Sequence, residues 1–179
     1  MLPLKIPYTE LWDEKNECMI FVKAVTLHLE HSLISISKWE SHYHVPFLET
    51  QMTPEQTRYY VQCMTLNKDV DPNVYLAIND SHMEKVLAYI NDSMTATTIK
   101  EAADNKKQNR FITSELIYYY MIQFGIPWEF EKWHFNRLIT LIRVCSEESK
   151  PQKKRSKSQI EKEYEEINRR NKAKFHTRG

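Results

Sequence analysis

The sequence predicts a mainly α fold with a small N-terminal antiparallel β element, a helical hairpin in its core and a basic C-terminal tail. Three observations carry this expectation. Only Gly125 and Gly179 are glycine in 179 residues, which argues against glycine-rich phosphate loops, βαβ dinucleotide folds and tightly turned β-sandwiches. Several segments join a capping residue to apolar side chains three and four apart. Within the first thirty residues, short segments are instead β-leaning, two of them alternating with a period of two.

Taken in order, Leu2 to Ile6 alternates weakly, Cys18 to Lys23 is apolar and β-leaning, and Thr26 to Glu30 alternates clearly. These predict a small antiparallel sheet. Ser32 to His44 carries Leu33, Ile36 and Trp39 at helical spacing, with Ser32 as cap and Pro46 as terminator. At Thr53-Pro54-Glu55, Thr53 caps, Pro54 sits where its missing N–H costs nothing, and Glu55 meets the positive end of the dipole. That helix is expected to run to Leu66. Asp71-Pro72 turns the chain, and Asp80 or Ser81 caps a helix carrying Met83, Val86, Leu87 and Ile90. Glu101 to Asn109 is polar and reads as a loop.

Thr113 or Ser114 opens the next helix, and Gly125 followed by Pro127 closes it. Leu116, Ile117, Tyr119, Tyr120, Met121 and Phe124 make it apolar nearly all round, which predicts a central position in the core. A partner helix is expected from Glu129 to Cys145, with Phe130, Trp133, Leu138, Leu141, Ile142 and Cys145 inward. A loop of about three or four residues would hold the two antiparallel. Trp133 and Leu141 are expected in the core.

Charge divides the chain at Pro151. Residues 150–179 hold 11 of the 25 Lys and Arg and 4 of the 24 Asp and Glu, a net of +7, whereas residues 1–149 hold 14 and 20, a net of −6. The expected organisation is a compact acidic domain over 1–149 and a basic tail over 150–179. Gln159 to Lys174 could form a helix with Ile160, Tyr164 and Ile167 as its apolar stripe, too thin to fold alone. The tail fits three roles: phosphate contacts, a solvated linker, or docking on an acidic protein partner. The residues assigned to a partner are Lys153, Lys154, Arg155, Arg169 and Arg170.

No constellation spells out a catalytic or metal site. His28, His31, His42 and His44 lie close in sequence, but a strand sends His28 and His31 to opposite faces, and a helix end separates His42 from His44. His28-Leu-Glu-His31 lacks the order and spacing of a metalloprotease helix. His134 and Cys145 stand about 16 Å apart if they share one helix, too far for a nucleophile and its base. Trp128, Trp133 and Tyr118-Tyr119-Tyr120 could stack nucleic-acid bases, but their spacing suits core packing better. Cys18, Cys63 and Cys145 are odd in number and form no CxxC pair, which predicts reduced thiols. No cofactor is expected. Neither a signal-peptide h-region nor a membrane-length apolar run occurs, which predicts a cytoplasmic protein.

Residues 112–122, 126–130 and 132–145 nonetheless resemble a family of small proteins encoded by tailed bacteriophages and prophages. Residues 29–41 and 60–66, and the basic ending over 168–179, resemble it too. The resemblance spans most of the chain, including the tail, and is most specific in the hairpin. It implies a role in the tail-morphogenesis region, as a chaperone-like assembly factor for the tape-measure protein, without catalytic residues. A structural component of neck or tail, or an accessory protein binding nucleic acid through its basic tail, are the alternatives. A homo-oligomer is also open.

Overall fold

The computed structural model describes residues 1–14, 16–98, 111–149, 164–171 and 174. It divides into two units, Met1–Glu147 and Glu148–Gly179. The expected mainly α fold with a small N-terminal antiparallel element is present. The loop expected over Glu101–Asn109 lies outside the described residues.

The chain opens with four strands, β1 (Leu2–Ile6), β2 (Thr9–Asp13), β3 (Cys18–Val22) and β4 (Val25–Leu29). β1 pairs with β4 from Leu2↔Leu29 to Ile6↔Val25, and β2 pairs with β3 from Thr9↔Val22 to Asp13↔Cys18. Both ladders share one register, so the four strands form a single long ribbon. The ladder breaks at Pro7, which has no N–H to contribute. β2 was not expected; Thr-Glu-Leu-Trp-Asp is a weak strand sequence that gains its conformation from β3.

The outer edge of β4 is closed by the segment after Met64. Glu30 N–H donates to Met64 O at 2.9 Å and Leu66 N–H to His28 O at 2.8 Å. Asn67 Oδ1 accepts the His28 N–H at 2.7 Å, and its amide donates to Thr26 O at 3.1 Å.

Among the described residues up to 149, five α-helices follow: α1 (Leu33–Tyr43), α2 (Pro54–Met64), α3 (Asp80–Asn91), α4 (Ser114–Gln123) and α5 (Phe135–Glu148). Ser32 caps α1 and Thr53 caps α2 through reciprocal bonds with Ser35 and Gln56. α2 ends at Met64 rather than Leu66, because the chain turns to pair with β4. Asn79, one residue before the expected caps, is the N-cap of α3. Gly125, at φ +63°, ends α4 as expected. Its N–H donates to Ile122 O at 3.1 Å, and the Ile126 N–H to Met121 O at 2.8 Å, the two bonds of a Schellman motif.

The expected second hairpin helix is shorter than its apolar pattern. Trp128–Lys132 is a 3-10 turn, and α5 begins only at Phe135. Between them His134 forms an antiparallel bridge with Ser32, and Phe135 N–H donates to His31 O at 2.7 Å. This long-range pairing holds Trp133 in extended backbone and prevents the helix from starting earlier. The connection is therefore longer than the three or four residues expected. α1 is the hub instead: α2, α4 and the 128–132 turn pack on it.

The core gathers Leu4, Ile6, Leu27 and Leu29 from the ribbon with Leu33, Ile36, Trp39, Tyr60, Met64, Ile117, Met121 and Leu138 from the helices. Trp39 is fully buried and its indole N–H donates to Gln56 O at 3.1 Å. Trp133 and Leu141 are only half-buried, contrary to expectation. With α5 starting at Phe135, its inward stripe is Phe135, Leu138 and Ile142.

Candidate functional site: two exposed apolar faces and a buried histidine pair

Of the basic residues assigned to a partner, Lys153, Lys154 and Arg155 lie outside the described residues. Arg169 and Arg170 are exposed on the helical stretch 164–171, together with exposed Tyr164 and Ile167. Tyr164 and Ile167 stand three apart and share one helix face, as expected.

α4 is not buried all round. Ser114, Ile117 and Met121 face the core, while Tyr119 and Ile122, also three apart, are exposed. Phe111 and Ile112 before the helix and Trp128 after it are exposed as well. Trp128 lies 5.6 Å from Tyr118, which donates a hydrogen bond to Glu131 at 2.9 Å. The all-round apolar pattern therefore describes a helix with one face in the core and another in solvent. Monomeric soluble proteins rarely leave large contiguous apolar surface uncovered.

The start of α4 is held from α1. Thr113 makes no side-chain capping bond; instead the buried Glu40 carboxylate accepts the Ser114 N–H at 2.8 Å through Oε2 and the Phe47 N–H at 2.9 Å through Oε1. One carboxylate thus satisfies two buried donors from segments far apart in sequence and complements the positive end of the α4 dipole. Beside it lies an open groove of about 410 Å³ lined by Glu40, His44, Val45, Pro46, Thr113 and Glu115.

The second apolar face is on the ribbon. In the β1–β4 half, Leu4, Ile6, Leu27 and Leu29 point into the core. The continuation of that same face in the β2–β3 half carries Tyr8, Trp12, Met19 and Phe21, all exposed. The opposite face of this half, with buried Val22 and half-buried Leu11 and Ile20, packs on the 3-10 turn Pro72–Ala77. This half therefore carries apolar side chains on both faces, with Glu10 among those of the uncovered one, and is covered on the other.

Of the histidines weighed in the sequence, His31 and His134 are brought together. Their rings meet edge-on at 5.1 Å, and both are buried. His31 Nδ1 lies 2.5 Å from Tyr60 Oη, which in turn lies 3.2 Å from Ser35 Oγ. Ser35 donates to Ser32 O at 2.8 Å. Removal from water, reinforced by His134, pushes the His31 pKa down to about 3. His134 is also lowered, chiefly by burial, although its bond to Tyr89 O at 3.0 Å opposes the shift. A carbonyl only accepts, so His134 Nε2 carries the proton. Its Nδ1 is buried without a hydrogen-bond partner among the described residues.

Ser35, Tyr60 and His31 resemble parts of a nucleophilic relay in composition only. Burial pushes the Tyr60 phenol far up, and each of the three is almost wholly inaccessible. Their chemistry is that of a polar network tying β4, α1 and α2 together. Sequence spacing could not find it, because His31 and His134 meet only through the Ser32–His134 bridge.

Beside the pair, Glu30 accepts from Tyr89 Oη at 2.7 Å and from the Met1 amino group at 2.8 Å. They border an open cavity of about 290 Å³ that also reaches Lys132 and Arg137. The Arg137 guanidinium sits 4.0 Å over the Trp133 ring, which stacks on Phe130 at 3.8 Å. His42 stacks on Tyr59 at 4.2 Å, and His44 is the left-handed C-cap of α1. Burial raises the Cys63 thiol to about 11, the direction of an unreactive side chain.

Among the described residues, no three His, Cys, Asp or Glu side chains converge on a metal position. No described helix is long and apolar enough to cross a membrane. No family model, curated protein or solved structure matches this chain.

Proposed function

We propose that this chain is a non-enzymatic assembly factor for a bacteriophage tail, acting in the host cytoplasm as a chaperone-like binder of a tail protein such as the tape measure. The resemblance in residues 112–145 supplies the role. The observation that supports a binding function is the uncovered apolar surface of α4, where Tyr119 and Ile122 face solvent on a helix otherwise anchored in the core, with Trp128 exposed in the turn that follows. A long helical partner would lay its own apolar stripe on such a surface. The basic segment, with a net of +7, would speed encounter with an acidic partner.

Co-expression with the tape-measure protein tests the reading. The expected result is a soluble complex that Ile122→Asp or Trp128→Asp abolishes while the variant itself stays folded. An insoluble tape measure with no complex formed would reject it. Mass spectrometry of purified particles separates an assembly factor, absent from the virion, from a structural neck or tail component present in fixed copy number.

A further inference from the structure

We propose that the exposed face of the β2–β3 half docks a basic segment of a partner protein, which sets an arginine side chain on Glu10 among Tyr8, Trp12 and Phe21. This face is separate from α4, so the proposal stands or falls independently of the tail-assembly reading.

Glu10 is the one carboxylate within the ladder on this face. Phe21 lies directly opposite it on β3, and Trp12, two residues further along β2, lies opposite Met19. Directly opposed side chains start about 5 Å apart, and neighbours on one face of a strand about 7 Å. On the remaining side, the Tyr8 hydroxyl donates to Glu10 Oε1 at 2.9 Å. Tyr8, Glu10, Trp12, Met19 and Phe21 are all exposed. Among the described residues Glu10 forms no ion pair, and Tyr8 is the one donor to its carboxylate.

A strand with apolar side chains on both faces is expected to be covered on both. β3 already packs one face on the 72–77 turn. Glu10 decides what can cover the other. A purely apolar cover would strip water from the carboxylate and leave its charge unpaired, which proteins avoid. An acidic protein surface, a phosphate backbone or an anionic headgroup would meet like charge. Residues 8–23 hold Glu10, Asp13, Glu14 and Glu17 against Lys15 and Lys23, a net of −2 (2 − 4).

A cover that brings a cation to Glu10 meets both demands. It pairs the carboxylate, and it comes within reach of aromatic rings, which attract cations placed within about 6 Å of them. Arginine suits the position better than lysine. Its planar guanidinium can bond a carboxylate along its edge and stack on a ring with its face. The same contact exists elsewhere in this chain, where the Arg137 guanidinium lies 4.0 Å over the Trp133 ring. Apolar residues beside that arginine would then cover Met19 and the remaining ring surface.

NMR of the full chain, titrated with the blocked peptide acetyl-Leu-Gly-Arg-Gly-Leu-amide, tests the proposal. Two further peptides carry citrulline or glutamate in place of arginine. Citrulline keeps the planar side chain and removes the charge. The expected result is a shift of the Trp12 indole N–H and of the Glu10 and Phe21 amides. The arginine peptide should bind at least about 5-fold tighter than the citrulline peptide, the scale of an exposed ion pair and a cation–π contact together. Glu10→Gln should abolish that preference, and Trp12→Ala should weaken binding of the arginine peptide. Circular dichroism of both variants should be unchanged, since both side chains are exposed. Equal binding of the arginine and citrulline peptides, a preference for the glutamate peptide, or shifts confined to other surfaces overturns the proposal. No shift up to about 10 mM peptide, a range that covers single-anchor affinities, also overturns it. Signals of this face that move on dilution of the chain alone would make a second copy the cover and overturn it too.

Discussion

The two halves of the N-terminal ribbon share one strand register but differ in what covers them. In the β1–β4 half, Leu4, Ile6, Leu27 and Leu29 are almost wholly buried under the helices. In the β2–β3 half, the corresponding face shows Tyr8, Trp12, Met19 and Phe21 to solvent, and the core takes the opposite face through Val22. Alternation tells which residues share a face of a strand. It does not tell which face the rest of the chain will cover, and here the answer changes at Pro7. The tryptophans repeat the contrast: Trp39 has no exposed surface, whereas Trp12 is 59% exposed and Trp128 55%.

The contrast between covered and uncovered side chains can be broken most forcefully at Trp39. Trp39→Ala should cost about 3–5 kcal/mol in urea unfolding, because it empties the centre of the α1 contacts and strands Gln56 O. Trp133→Ala should cost only roughly 1–2 kcal/mol, the loss of a half-exposed stack with Phe130 and Arg137. Equal losses at the two positions would refute the boundary drawn at Phe135.

Leu27→Ala, in the covered half of the ribbon, should destabilise by about 3 kcal/mol. Glu40→Gln should cost about 2 kcal/mol, since an amide cannot accept from both Ser114 and Phe47 with equal geometry. Amide exchange should show the α4 N-terminus loosening first. Unaltered protection at Ser114 would mean that the carboxylate is dispensable there.

Acid should act on the covered region through His31. The unfolded imidazole takes up a proton near pH 6.5, the folded one only near 3. The unfolded state therefore binds more protons between these values. Stability should be flat in this respect above about pH 6.5 and should fall by roughly 1 kcal/mol per pH unit within the window. His134 adds in the same direction. Denaturation midpoints from pH 7 to 4 check this, and His31→Gln should flatten the slope.

The smallest effect belongs to the uncovered half. Trp12→Ala should change the unfolding free energy by less than about 0.5 kcal/mol at concentrations where the monomer predominates. A loss comparable to that of Leu27→Ala would show that this face is covered within the monomer.

Local chemistry was legible where it is self-contained. Ser32, Thr53 with Pro54, and Gly125 act where their sequence neighbourhoods placed them, because caps and left-handed stops are satisfied within a few residues. Strands β1 and β4 were readable from their alternation, and β3 from its apolar, β-leaning run. β2 was not, because Thr9–Asp13 is weak by itself and takes its hydrogen bonds from β3. The continuous apolar pattern from Glu129 to Cys145 suggested one helix, but pairing of His134 with Ser32 interrupts it.

By itself, the sequence determined the fold class, the starts of α1, α2 and α4, the stops of α1 and α4, and the division of charge between residues 1–149 and 150–179. Each depends on interactions short in sequence or on composition alone. Only the tertiary structure decided which apolar faces are covered, which histidines meet, and that Glu40 caps a helix 74 residues away. Burial is a property of what lies across from a residue. In this chain the decisive neighbours arrive through long-range contacts that no local pattern records.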